Sequence, residues 1–546
     1  MAIPIQHPMT RRARLAIAGV ALLAFFIKIL LALKTYGTND VYVYDHFSVW
    51  SRYLGVFLYR ADPQFNHPPS MIHILHAFSW LAAVTGLPFS FWLRLPGILA
   101  DTGSLWIVWK MLGARTVLNT KEDRSIFWSL ILLAAAPPLI LISGFHGNTD
   151  SVVIFFVLLS IYLLEIGASG WLAGTAFAMA CCFKVFPVIV VPVMVLNASG
   201  RKRWINRRSI KFCAAALIVL LICWSPFFFQ DPKTIVAQVF GYRSLYGHWG
   251  LSYLALQLPA TLSAVLPSLL PRAELFNANF ERWGSYLALG LVLIVSWRMN
   301  WGPLRPRLFS QVGLIFLLFL SVSNGFGVQY LAWLVPWVVE LGWLPTATFY
   351  TASGIFLFLV YNYWSQGLPW YLADSINVGE YTGYFDHAHV ICWLSVVAAL
   401  SVAWRRVGIA AGWDRILPIP PLGPGLRIGA ALVAAAALWA VIPPQMDTPS
   451  PPGGKDARAV RTINARSDLD LSMLLAGDHR YEDSIRAARE ALALTPDSAE
   501  AHASIAAGYA GLGMWRDAVE NAQEALRVDP DFEPARNILA SAASNR

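Results

Sequence analysis

Long apolar blocks recur along most of this chain, at 16–33, 126–142, 152–164, 214–224, 287–297 and 354–360, with nearly all charged residues in the stretches outside them. With their apolar flanks the blocks approach the ~20 residues a helix needs to cross the hydrocarbon of a bilayer. A soluble core helix seldom needs so many. The pattern predicts an all-α, polytopic membrane protein. Lys28 alone interrupts the first block, close enough to its far end for its ammonium to snorkel outward. Arg11, Arg12 and Arg14 precede that block, but no small-x-small cleavage site follows before Tyr36, so an uncleaved first span is expected rather than a signal peptide.

Composition agrees with lipid as the solvent, since 57% of the 546 residues are hydrophobic and 13% are charged. The net charge of +9 could suggest nucleic acid, but the basic residues cluster in short loops between blocks, at 201–208, 298–307 and Arg405-Arg406. That is the positive-inside pattern of a membrane protein, and nucleic acid is not expected as a partner. The five cysteines all lie in apolar runs without metal-ligand spacing and read as buried thiols.

With the N-terminus and the basic clusters on the cytoplasmic side, about thirteen transmembrane helices thread the membrane. A long outer loop follows the first. Within it, 71–80 reads as an interfacial helix with His73 and His76 near the headgroups, because counting it as a span would carry Lys110, Arg115, Lys121 and Arg124 outside. After Pro443 the composition turns to Pro, Gly and polar residues, as in a linker. The expected domains are a membrane domain at 1–443, a linker at 444–462 and a small α-helical repeat domain at 463–546.

The repeat is visible in the letters. Tyr481-Glu482-Asp483-Ser484-Ile485 recurs 34 positions later as Trp515-Arg516-Asp517-Ala518-Val519, and Pro496 recurs as Pro530. This resembles tetratricopeptide repeats, with Ala488 and Ala522 at helix crossings and a surface suited to a protein partner. An odd number of spans puts this module outside.

If the threading holds, the unusual polar residues collect on the outer face: Asp40 and Asp45, then Asn66-His67-Pro68-Pro69, then Arg94 opening the second span. Phe145-His146-Gly147-Asn148-Thr149-Asp150 and Phe183-Lys184-Val185-Phe186-Pro187 follow, then Arg243 and His248, then Gln329-Tyr330. Lys184 stands in an apolar stretch, and an ionisable residue at that depth marks function unless it merely snorkels to the headgroups. Asp40 is either a functional carboxylate or the N-cap of a helix beginning at Val41. His146 and Asp150 suit sugar hydroxyls, acceptor orientation or half of a metal site, or else simply cap a span and bond to the first loop. One His and one Asp do not define a metal, so no metal or other cofactor is expected.

Taken in order, these elements resemble the GT-C glycosyltransferases, membrane enzymes that take a sugar from a polyprenyl-phosphate or polyprenyl-diphosphate carrier. Asp40-Val41-Tyr42-Val43-Tyr44 leading to Asn66-His67-Pro68-Pro69 looks like the family's first-loop aspartate and the Tyr-Pro-Pro-Leu-like element after it. Phe145 to Asp150 resembles the motif of its second outer loop. Phe183-Lys184-Val185-Phe186-Pro187 resembles the Phe-Lys-x-x-Pro of polyprenyl-phosphate-mannose or -glucose users, and Gln329-Tyr330-Leu331-Ala332-Trp333 is similar to a late element. His67 replaces the usual Tyr, and the second loop carries one aspartate where metal-dependent members carry a pair.

The resemblance implies attack of an acceptor hydroxyl on the anomeric carbon of a polyprenyl-phosphate sugar at the outer face of the plasma membrane, with inversion. The acceptor would be a glycan, glycolipid or protein. Asp40 would be the general base. Lys184, with Arg243 and Arg94, would bind the donor phosphate, and Asp45, His67, His146, Asp150, Gln329 and Tyr330 would contact substrate. The competing reading is a transporter or flippase of lipid-linked sugars. Such proteins usually carry polar residues at mid-bilayer, whereas here they gather at outer helix ends.

Overall fold

Without water to bond to, a backbone in lipid must satisfy its own polar groups, and the apolar blocks do so as helices. The computed structural model describes residues 9–112, 121–200, 203–242, 244–365, 372–373, 384–412 and 457–544. Apart from two pairs of two-residue strands, the described regular structure is helical. Two compact units divide the chain, Met1–Val41 with Asp62–Thr448, and Tyr42–Ala61 with Pro449–Arg546.

The longer helices of the first unit are α1 (Arg11–Lys34), α2 (Asn39–Leu54, whose first turn belongs here), α3 (Ser70–Thr85), α4 (Phe89–Leu112), α5 (Lys121–Ala134), α6 (Asp150–Glu165), α7 (Gly170–Phe183), α8 (Val191–Ser199), α9 (Arg207–Phe228), α10 (Pro232–Gly241), α11 (Gly250–Val265), α12 (Leu270–Trp301), α13 (Leu308–Val322), α14 (Trp343–Trp364) and α15 (Tyr384–Ala411). Five helical stretches among the described residues are long and apolar enough to cross a membrane: α1, Arg124–His146, α9, α14 and Ala388–Ala411. Counting α3 and α4 as one broken span gives six. This is a multi-pass membrane protein; of about thirteen expected spans, five or six stand out by length and apolarity among the described residues. Several apolar blocks form shorter helices: α7 has 14 residues, or ~21 Å at 1.5 Å per residue, against ~30 Å of hydrocarbon. The last expected span, 426–441, lies outside the described residues. The stretch expected at the interface is helical and lies within α3, after which Gly86 takes φ +70° and the chain bends by 116° into α4.

The hairpin of α6 and α7 sorts the polar residues by end. Asp150 opens α6 and Lys184 follows α7, so both reach the same end. At the other end Arg307 pairs with Glu165 at 2.8 Å, and Arg208 donates to the carbonyls of Leu164 and Ala168. Lys28 departs from expectation. It does not snorkel; it is buried, its Nζ 2.6 Å from Oδ2 of Asp101 on α4. A buried countercharge removes the reason for the ammonium to seek the headgroups.

In the second unit, α16 (Ala457–Gly477), α17 (Tyr481–Leu494), α18 (Ala499–Gly511), α19 (Trp515–Val528) and α20 (Glu533–Ser544) follow one another through short turns. Ala488 packs with Ile485 and Ile505, and Ala522 with Ala503, Ala506 and Ala535. Boundaries drawn from composition omit the segment Tyr42–Ala61, which belongs to this unit through its polar aromatics. His46 Nδ1 is 2.5 Å from Ser467 Oγ, and Tyr53 donates to Glu490 Oε1 at 2.9 Å.

Burial pushes Asp45 up to about 6 against the pull of Arg52 and His46. Burial, Glu490 and Asp45 push Asp468 up to about 7, with Arg52 opposing. Both acids hold their protons more tightly folded than unfolded. Their stabilisation is full below the ordinary carboxylate value near 3.8 and is lost as pH rises through about 6 and 7. In the full chain, Asp468→Asn is therefore expected to raise the unfolding temperature of this unit by about 5 °C at pH 8 and to change it much less at pH 5. Scanning calorimetry checks this; equal shifts at both pH values would refute it.

Candidate active site

The site grows from the end of α1, where the last carbonyls of a helix lack partners. Arg94, fully buried on α4, turns its guanidinium onto them. It donates to the carbonyls of Leu31, Ala32 and Thr35 at 3.4, 3.4 and 3.0 Å and to that of Tyr36. The chain then bends at Gly37, whose φ of +111° suits glycine and where a Cβ would strike Arg94 and the Phe145 carbonyl. Gly37–Thr38 runs parallel to Leu372–Ala373. Thr38 Oγ1 accepts from the Asp40 N–H at 3.3 Å and donates to the His146 carbonyl at 2.9 Å. The threonine thus takes the capping contact that is the alternative reading for Asp40, whose carboxylate, in the first turn of α2, stays available.

Facing it is a wide turn. Pro137 and Pro138 restart the helix after α5, and Ile142–His146 then follows as one π turn. Gly147 reverses the chain at φ +80°, with no room for a Cβ beside Val41, and α6 begins at Asp150.

A chain of polar contacts joins these elements. Asp40 Oδ2 accepts from Asn148 Nδ2 at 2.7 Å and lies 3.1 Å from His146 Nε2. Asn148 Oδ1 accepts from Lys184 Nζ at 2.8 Å, and the same ammonium donates to Asp150 Oδ2 at 2.7 Å. Asp150 Oδ1 accepts from Trp333 Nε1 at 2.5 Å. The amide of Asn148 is oriented on both sides, because the lysine can only donate and the carboxylate only accept. Asp150 and His146 are buried, whereas the Asp40 side chain is 30% exposed. Burial raises the Asp40 carboxyl, but the nearby His146 imidazole and Lys184, with the hydrogen bond from Asn148, outweigh it and hold the group at about 2. Burial together with Lys184 pushes His67 down to about 3, with Asp40 opposing.

Asp40 and His146 open on a cavity of about 270 Å³ that Gln329, His248, Gln257 and His389 also line. Antiparallel pairing of Leu245–Tyr246 with Gly325–Phe326 ties two of its walls together. The His146 ring stacks on Tyr361 at 5.3 Å, Trp333 lies between Phe186 at 3.7 Å and Tyr330 at 4.1 Å, and Tyr330 bonds to Ser244 at 2.5 Å. A second, mainly apolar crevice of about 470 Å³ runs from Cys181, Val185 and Val188 to Leu221, Trp224 and Phe228, flanking Lys184 along the chain.

Of the expected site residues, Asp40, His146, Asp150 and Lys184 come together, with His67 within electrostatic reach and Gln329 in the shared cavity. Tyr330 joins through Trp333. Lys184 does not snorkel; its side chain is 14% exposed and turned to Asn148 and Asp150. Arg94 is not brought there as a phosphate ligand, since its guanidinium is taken up by α1. Asp45 belongs to the second unit, and Arg243 lies outside the described residues. Asn148 escaped the sequence reading as a site residue although it stood inside the quoted motif. Its signal is an amide between two ionisable groups, which can bond to a carboxylate and an ammonium at once. Of the other lining residues, His248 stood out only as a polar residue of the outer face, and Gln257 and His389 left no local signal.

The sequence model of the family described as GPI transamidase subunit PIG-U matches residues 28–244, a stretch that holds Asp40, His146, Asn148, Asp150 and Lys184. GPI mannosyltransferase 1 of Debaryomyces hansenii is 24% identical over 237 residues, which cover 39% of this chain and 52% of that protein. The chain thus spans about half the length of the curated relative it matches. Among solved structures, ArnT from Cupriavidus metallidurans bound to undecaprenyl phosphate is similar at 16% identity and a TM-score of 0.39, covering 83% of this chain and 80% of that one. Its apo state is similar at 15% identity and 0.37, covering 78% and 76%.

Proposed function

We propose that this chain is an integral-membrane glycosyltransferase of the GT-C type that moves a hexose from a polyprenyl-phosphate donor to an acceptor hydroxyl at the outer face of a bacterial plasma membrane. The observation that carries the reading is the bridge through Asn148, which sets a carboxylate and an ammonium on either side of one amide beside a cavity. Similarity to a protein named a mannosyltransferase supports it and makes mannose the first sugar to test.

In the reaction, the acceptor oxygen bonds to the anomeric carbon as the carbon–phosphate oxygen bond breaks. The hydroxyl proton passes to Asp40 and the electron pair leaves with the polyprenyl phosphate. A single displacement of this kind inverts the anomeric centre. A hydroxyl is a poor nucleophile at neutral pH, so the proton acceptor must stand within hydrogen-bond reach. A carboxylate held at about 2 is a weak base, and Lys184 is among the groups that hold it down. A donor phosphate that takes up the Lys184 charge raises the base as the substrate arrives. The same ammonium then stabilises the charge gathering on the leaving phosphate. Arg243 keeps its expected phosphate role on sequence grounds, and His67, His146, Asp150, Gln329 and Tyr330 contact the sugar or hold groups that do. The apolar crevice beside Val185 suits an isoprenoid tail. The helices from Ala457 to Ser544 act as tetratricopeptide repeats that engage a protein partner.

The test is to incubate the purified full-length protein with radiolabelled polyprenyl-phosphate sugars, the mannosyl donor first. Release of polyprenyl phosphate with transfer or hydrolysis of the sugar is expected. Absence of turnover with every donor would return the chain to the transporter reading.

A further inference from the structure

The ion pair between Lys28 and Asp101 has no part in the chemistry above. Both residues are 6% exposed, Lys28 inside a helix long and apolar enough to cross a membrane and Asp101 inside the 24-residue α4. Stability is a poor reason to keep such a pair, since apolar residues of similar volume often serve a fold as well or better. What distinguishes it is its third member. Ser143 Oγ lies 2.5 Å from the same Asp101 oxygen that Lys28 holds at 2.6 Å, its proton shared with the Leu139 carbonyl at 2.6 Å.

Ser143 is the second residue of the π turn Ile142–His146. Gly144, next along, lies so close to α1 that a Cβ there would meet the Lys28 Cα at 3.2 Å. Three residues after Ser143 comes His146, whose carbonyl is bonded by Thr38. The turn is therefore gripped at its start by Lys28 and Asp101 through Ser143, and at its end by the strand that leads into Asp40. Single π turns recur at functional sites, and this one is held from outside by α1, α4 and the strand before Asp40.

We infer that Lys28, Asp101 and Ser143 are positioning residues that set the π turn against α1 and so hold His146 3.1 Å from Asp40. The catalytic meaning of that distance rests on the transferase reading; the positioning itself does not.

Two variants of the full-length protein in detergent or nanodiscs test this. Ser143→Ala removes one hydrogen bond to a charged group, and Lys28→Met with Asp101→Leu removes both charges together, so that neither stays buried alone. Hydrogen exchange of the amides in 142–149 should accelerate about tenfold or more, the equivalent of that one bond, with exchange in α7 unchanged and the unfolding temperature lowered by no more than a few degrees. The kcat should fall about 10- to 100-fold, as expected of a small displacement at the reacting groups, while the donor KM stays as in wild type. Unchanged exchange at 142–149 in Ser143→Ala overturns the inference even if the double variant does not fold. A wild type without turnover removes the transferase reading and leaves the exchange measurement to decide the positioning.

Discussion

Asp40→Asn is expected to lower single-turnover transfer by about 10²- to 10⁴-fold, the range set by a positioned general base, while donor binding and folding persist. The substitution is conservative in every respect but one. Asparagine keeps the volume, and its carbonyl can still accept from Asn148 Nδ2. The start of α2 is unaffected, because the contact with Thr38 Oγ1 uses the backbone N–H of residue 40. What disappears is the negative charge beside His146 and Lys184, and with it the ability to take up a proton. Because His146 and Lys184 overcome the effect of burial and hold the carboxyl at about 2, it stays ionised throughout the working range, and kcat/KM should show no acidic limb from this group above about pH 3. Radiolabelled donor in single-turnover mixing measures the loss. Transfer at the wild-type rate by Asp40→Asn would dismiss the base assignment outright.

The parts of this architecture that could be read from the sequence are those whose signal is local. Asp40, His146, Asp150 and Lys184 announced themselves as polar residues where apolar neighbours make them costly, and the π turn and the chain after α7 bring them to one place. Tyr481 and Trp515 begin helices, and Pro496 and Pro530 follow the ends of the same helices, because proline and small-residue spacing act within a few turns. The rest depends on contacts between distant residues. Lys28 and Asp101 are single charges in different helices, and nothing in either window says that they meet. Arg94 looks like any cation at a membrane boundary until the end of α1 is seen to need its donors. The span count is not confirmed among the described residues, because hydropathy measures apolarity and not straightness. Broken helices such as the α3–α4 pair and short ones such as α7 are as apolar as full spans, and the protein interior lets them be short. The segment Tyr42–Ala61 was assigned to the membrane domain by position alone, while its aromatic residues find their partners on α16 and α17.

Lys184→Met is expected to abolish donor binding, but alone it cannot say why. Asp150 is fully buried, and removing the cation leaves its carboxylate with only Trp333 among the bonds described above. Loss of one partner from a buried pair costs ~3–5 kcal/mol, enough to unfold a marginal protein. The informative variant is Lys184→Met with Asp150→Asn, which removes both charges and leaves a neutral amide that can still accept from Trp333 Nε1. Its unfolding temperature should return to near the wild-type value. If Lys184 exists to neutralise Asp150, turnover returns with it. If Lys184 meets the donor phosphate, the folded double variant still fails to bind polyprenyl phosphate, and turnover stays at least about 10²-fold down, as for a lost charged contact in the transition state. We expect the second result, because the ammonium also bonds to Asn148 and through it to Asp40, an arrangement that neutralising Asp150 alone does not require. Binding of radiolabelled polyprenyl phosphate to the two variants, set beside their unfolding temperatures, separates the cases.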